Sequence, residues 1–217
     1  MNHAQRLIFR SGGLLISALA VILFAGCQTT KEQPKAAAST TPAATTTAAS
    51  TMAAPATLPS TATAFKAIRV DAGSDTNYVD SEGNTWLADQ GFADGEVITR
   101  DEDLSITNTT DAALYRTEHY DMTSFSENVP NGKYTVKLHF AETYDGISGP
   151  GDRVFSFNVG GQHEFKDFDV WVKAGGPQTA YVVTVPDVEV TDGKLTITFT
   201  PNVQSPEING IEILPEP

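Results

Sequence analysis

Three aromatic residues, Trp86, Tyr120 and Tyr144, stand at the ends of apolar runs or in loops, each beside acidic or amide side chains. A flat ring offers a face for the axial C–H groups of a sugar, and flanking carboxylates and amides pair with its equatorial hydroxyls. These residue types suit sugar recognition, with Glu118 and Asp145 as polar partners. Trp86 has an alternative place in the core, where Tyr115 is also expected. Tyr144 differs, because Glu142–Gly151 is a glycine-rich loop with no strand beside it to bury a ring.

Other chemistries have less behind them. Glycoside hydrolysis needs two carboxylates about 5–5.5 Å or roughly 6.5–9.5 Å apart across the scissile bond. Glu118, Glu142 and Asp145 qualify by type, but acids are abundant throughout and none sits in an evident apolar pocket that would raise its pKa. No Gly-x-Ser-x-Gly turn occurs, and His119, His139 and His163 lack a zinc spacing. Asp101-Glu-Asp103 and Asp167-Phe-Asp169 carry the hard oxygens that calcium takes, although solvated acidic loops account for the first better than calcium does. The expectation is a binding module with no catalytic residue, no metal and no cofactor.

The elements that must position these residues are short and apolar. Candidate strands are Phe65 to Val70, Ala113 to Tyr115, Tyr134 to Ala141, Val154 to Val159, Val170 to Val172, Ala180 to Val185, Leu195 to Phe199 and Ile208 to Leu214. Turn signals such as Pro130-Asn-Gly132, Gly160-Gly161 and Asp192-Gly193 separate them, and no window sustains helical periodicity. The pattern predicts an all-β, antiparallel β-sandwich over residues 64–217. Within Tyr134–Ala141, Thr135, Lys137 and His139 alternate with Tyr134, Val136, Leu138 and Phe140, which predicts a sheet with one wet face.

Residues 1–26 read as a signal peptide: Arg6 and Arg10 precede an apolar stretch from Leu14 to Phe24 that is short for a membrane span. Phe24-Ala-Gly-Cys27 resembles a bacterial lipobox, which implies lipidation of Cys27. The alternatives are a plain secretory signal with a free cysteine and an uncleaved anchor. Gln28 after the cysteine points to the outer membrane of a bacterial envelope. Residues 28–63 are almost wholly Thr, Ala, Ser and Pro without an aromatic residue, which predicts a disordered tether with a typical span of about 30–36 Å. Cleavage removes two arginines and no acid, so the net charge goes from −13 to −15. That charge excludes nucleic acid as a partner and leaves membrane attachment to the acyl chains.

Ile68-Arg-Val-Asp-Ala-Gly73, Asp80, Gly83, Trp86-Leu-Ala-Asp89, Phe92 and Gly95 resemble the opening signature of malectin domains. Leu114-Tyr-Arg-Thr-Glu-His-Tyr120, Phe125 and Tyr134-Thr-Val-Lys-Leu-His-Phe-Ala-Glu-Thr-Tyr144 are similar to the middle of that family. Val154-Phe-Ser-Phe-Asn-Val-Gly160, Asp167-Phe-Asp169 and Pro206-Glu-Ile-Asn-Gly-Ile-Glu-Ile213 are similar to its end. The resemblance implies a jelly-roll-like sandwich of the galactose-binding type and a non-catalytic site for oligosaccharide or polysaccharide. It also implies that Tyr144 forms one wall of the site, that Tyr120 is a second site tyrosine and that Trp86 falls near a third aromatic. Two positions depart from the family: Asp145 stands where the di-glucose-binding animal domain has an aromatic, and Gln204 stands near its site aspartate. A structural or protein-binding role in the envelope is the rival expectation.

Overall fold

The computed structural model describes residues 65–217. The expected signal peptide, Cys27 and the tether lie outside the described residues. Thirteen strands follow one another: β1 (Ile68–Asp71), β2 (Tyr78–Val79), β3 (Thr85–Trp86), β4 (Glu96–Thr99), β5 (Thr117–Tyr120), β6 (Ser124–Asn128), β7 (Gly132–Phe140), β8 (Val154–Val159), β9 (His163–Phe168), β10 (Tyr181–Val190), β11 (Lys194–Val203), β12 (Glu207–Ile208) and β13 (Gly210–Pro215).

The strands form two four-stranded sheets, β1-β13-β7-β10 and β6-β11-β8-β9, beside a three-stranded sheet β12-β5-β4 and the β2-β3 pair. Among the described residues, every pairing between these strands is antiparallel. The fold is an all-β, jelly-roll-like sandwich. Alternation builds its core: Tyr134, Val136, Leu138 and Phe140 of β7 point inward to meet Phe155, Phe157, Leu195 and Ile197 of the second large sheet. Phe168 lies 5.0–5.6 Å from the rings of Phe140, Phe155 and Phe157, joining the two layers. Asn209 ties three segments together, donating to the Thr117 carbonyl while its own carbonyl and N–H bond Ala72 and His139.

Two apolar runs read as strands fold otherwise. Ala112–Tyr115 is a 3-10 turn, and Val170–Ala174 is a short helix. Asp169 caps that helix by accepting from the Val172 N–H, and Gly175 closes it at φ 83°, so cap and stop override an apolar triplet. The outer face of β7 is also less wet than its alternation predicts. The β3 strand and the 3-10 turn roof it, burying His139 under Trp86, Leu114 and Tyr115 in a second small core.

Candidate functional site

The antiparallel register of the small sheet assembles a notch. Glu118 and Tyr120 are two residues apart on β5, so their side chains share a face. Ile98 pairs with Glu118 from β4, and Glu207 pairs with Tyr120 from β12, which brings both to that same face. Arg100 follows β4, Arg153 precedes β8, and Gln204 and Ser205 occupy the link between β11 and β12. Together with Tyr144 they enclose about 260 Å³.

Tyr144 is held so that its ring stays available. The Glu142 carboxylate accepts from the Tyr144 N–H at 3.0 Å, and Tyr144 is 47% exposed. A Cβ at Gly146 would collide with the ring, so the glycine lets the tyrosine lie against its own loop. The Arg100 guanidinium carbon is 5.9 Å from the ring centroid, within cation–π range.

Under the ring lies a charged floor. Glu118 accepts from Arg100 at 3.1 Å and from the Thr143 hydroxyl at 3.0 Å, and Arg153 approaches its other oxygen at 3.5 Å. Arg100 also donates to the Thr143 hydroxyl at 3.0 Å. Arg153 and Glu142 form an ion pair at 3.0 Å that is not aligned as a hydrogen bond. Glu207 is fully buried, and neither of its oxygens has a hydrogen-bond partner.

These acids correct one sequence expectation. Burial raises the Glu142 carboxyl despite the opposing Arg153, and burial with the neighbouring Glu118 pushes Glu207 well above the ordinary glutamate range. Asp71 is likewise pushed up to about 7, because burial outweighs the hydrogen bonds from Thr117 and Ser74. Long-range folding, not the local stretch, supplies the apolar surroundings. Glu207 follows Pro206 and Asp71 ends a four-residue strand, so neither sits in an obvious hydrophobic run.

Four of the six proposed contact residues, Glu118, Tyr120, Tyr144 and Gln204, line this one notch. Asp145 instead lines a separate depression with Thr99, Arg100, Asp101, Asp103 and Thr143. Trp86 is 3% exposed and lies against the outer face of β7. Its indole N–H donates to Asp80 at 3.0 Å, its ring meets His139 edge-on, and its closest backbone approach requires Gly210, where a Cβ would stand 2.9 Å from Cζ3. The core alternative therefore describes Trp86. Arg100 and Arg153 were not anticipated, and only their places beside β4 and β8 bring them in. Among the described residues, no group of three or more His, Cys, Asp or Glu side chains is placed to hold a metal ion. Asp169 is occupied as the helix cap, and it also accepts from the Gly151 N–H.

The malectin domain family model matches residues 66–211. The chain belongs to the malectin domain family. Malectin-B of Xenopus laevis is 34% identical over 94 residues, which cover 42% of this chain and 33% of that protein. A Bacteroides uniformis beta-glucuronidase shares the fold, with a TM-score of 0.62 at 20% identity over 70% of this chain and 18% of the enzyme. One chain of the complex of plant peptide RALF23 with FER and LLG2 superposes with a TM-score of 0.57 at 19% identity, over 68% of this chain and 48% of its own. This malectin domain thus spans a third of the amphibian relative and under half of the plant chain.

Proposed function

We propose that this malectin domain is a non-catalytic carbohydrate-binding module. The observation that carries the reading is the notch itself, where Tyr144 and Tyr120 flank a floor of polar side chains. Tyr144 would stack on a sugar face, Tyr120 would form the facing wall, and Glu118, Gln204 and Arg100 would pair with hydroxyls. Asp145 would reach the part of a longer glycan that passes Arg100, while Trp86 would support the sheet from the core. Stacking worth about 0.5–1.5 kcal/mol per ring plus exposed hydrogen bonds gives affinities on the order of µM to mM.

The floor argues against hydrolysis. The acid best suited to remain protonated, Glu207, is wholly enclosed, and Glu118 is already engaged by Arg100, Thr143 and Arg153. A glycan array with wild-type protein and Tyr144→Ala tests the reading. Binding to one sugar class that disappears in the variant supports it, and no binding by folded wild-type protein would move the choice to protein recognition. That second reading takes its suggestion from one solved chain of this fold, which comes from the complex of plant peptide RALF23 with FER and LLG2.

The sequence also supports a place in the bacterial envelope. Cleavage before Cys27 and lipidation of that residue would anchor the domain to the outer membrane on the 28–63 tether. Labelling with a palmitate analogue checks the anchor, and an unlabelled, freely secreted product would reject it.

A further inference from the structure

Beneath the notch, three carboxyl groups share one pocket with two guanidinium groups: Glu118, Glu142 and Glu207 against Arg100 and Arg153. The guanidinium groups are already committed. Arg100 serves Glu118 and Thr143, and Arg153 serves Glu118 and Glu142. Glu207 receives no hydrogen bond on either oxygen and has no exposed surface. An ionised carboxylate in the protein interior with no protein donor and no cation of its own is among the costliest groups a protein can hold.

We propose that Glu207 is a positioning residue for the notch: carried as a neutral carboxylic acid, it leaves both arginines to Glu118 and Glu142, and its deprotonation draws them away. The groups that act on it come from every side of the floor: Glu118 of β5, Glu142 after β7, Arg153 before β8 and Arg100 after β4. Arg153 is the arginine most easily moved, since its contact with Glu118 is 3.5 Å and its contact with Glu142 is misaligned. A shift of Arg153 toward Glu207 strips Glu142 of its cation. Glu142 in turn holds the Tyr144 N–H, so proton loss below is transmitted to the loop that carries the exposed ring.

The direction with pH follows from the buried acid. Its carboxyl is raised by burial and by Glu118, so the stability it confers is complete below the ordinary glutamate value of 4.5. That stability is lost as pH rises toward its folded value. The variant Glu207→Gln keeps the shape and stays neutral at every pH.

The full-length protein tests this by difference infrared spectroscopy, amide NMR and thermal melting between pH 5 and 9. Wild type is expected to show the carbonyl stretch of a protonated carboxylic acid that Glu207→Gln lacks. Asp71→Asn serves as a control because Asp71 is also raised. The Tyr144 amide resonance is expected to titrate with the midpoint of that band in wild type and to stay fixed in Glu207→Gln. Over the pH range below the folded pKa, the melting temperature of wild type should fall relative to the variant by about 3–5 °C per pH unit. A carbonyl band no weaker in Glu207→Gln than in wild type, once the contributions of Asp71 and Glu142 common to both proteins are subtracted, or a Tyr144 amide that titrates equally in both, overturns the proposal. Should the variant not fold, a wild-type spectrum with no protonated carboxyl at pH 7 overturns it alone. None of these readouts requires a sugar, so they stand apart from the glycan reading. If that reading also holds, glycan affinity falls at alkaline pH in wild type only.

Discussion

Two depressions on this domain are built from the same kinds of residue and end in opposite states. The Trp86 cleft, about 200 Å³, contains an aromatic ring, acids, Arg69 and Lys137 over the outer face of β7. There the indole is buried and bonded to Asp80, and Glu212 is claimed by Arg69 at 2.9 Å and by His139 at 3.1 Å. His139 is fixed on its other side by the Tyr115 hydroxyl at 2.8 Å. In the Tyr144 notch the ring is half exposed, and the charges beneath it are imperfectly paired. An aromatic beside an acid is thus no site by itself. What separates a site from a structural cluster is whether protein groups already use the ring face and the polar atoms.

The largest effects should fall on stability and should appear in both regions. Arg153→Ala leaves Glu118 and Glu142 buried beside Glu207 with one guanidinium fewer, a loss of about 3–5 kcal/mol by chemical denaturation. Trp86→Ala empties the second core and frees Asp80, with a loss of about 3–5 kcal/mol as well. The two differ in consequence: at a temperature where each stays folded, only Arg153→Ala should weaken glycan binding. Weakened binding by folded Trp86→Ala would erase the distinction drawn between the two depressions.

Acids of the Trp86 cleft titrate in the opposite sense to Asp71, which lies outside both depressions. Around Trp86, burial opposes ionisation, but hydrogen bonds from Trp86, Asn84 and Glu82 hold Asp80 at about 2, and His139, Lys137 and Arg69 lower Glu212 against burial. Their contribution is present above the ordinary carboxylate values of 3.8 to 4.5 and is lost as pH falls through the depressed ones. Asp71, raised by burial to about 7, behaves in reverse: its contribution is present below 3.8 and is lost as pH rises to about 7. Asp80→Asn should therefore shrink the acid limb of a melting-temperature profile, while Asp71→Asn should flatten the segment between pH 4 and 7. If Asp71→Asn instead steepened that segment, the assignment of a raised carboxyl would be wrong.

Periodicity made the sandwich legible where strands carry an apolar stripe, as in β7 and β8, and left the small polar sheet unseen. Glu96–Thr99 and Thr117–Tyr120 carry little apolar alternation of their own and form by pairing with each other and with Glu207–Ile208, while Ser124–Asn128 of the second large sheet forms on the edge of the ten-residue β11. The site divides along the same line. Tyr144 was readable because its loop offers nothing to bury a ring, and Tyr120 through the stretch that resembles the malectin family, with Glu118 as its acidic neighbour. Arg100, Arg153 and Glu207 lie 18, 35 and 89 residues from Glu118 in the chain, and no local pattern joins them. Trp86 marks the converse limit, since its burial depends on a glycine at position 210 that only the folded sheet brings beneath it.

The smallest effects isolate the ring from its support. Tyr144→Ala removes a half-exposed side chain, so stability should change by no more than about 0.5 kcal/mol while binding falls by up to about tenfold, from stacking of roughly 0.5–1.5 kcal/mol. Gly146→Ala is subtler. The added methyl meets the far part of the Tyr144 ring, not backbone, so the ring must tilt away while the loop keeps its hydrogen bond between Ile147 and Tyr144. Stability should move by less than about 1 kcal/mol, and glycan affinity should fall by a smaller factor than in Tyr144→Ala, about two- to fivefold. In the double variant Tyr144→Ala, Gly146→Ala the second change should add nothing, because the methyl then has no ring to displace. An additive loss would mean that the loop backbone itself, and not the seat it gives the ring, touches the sugar.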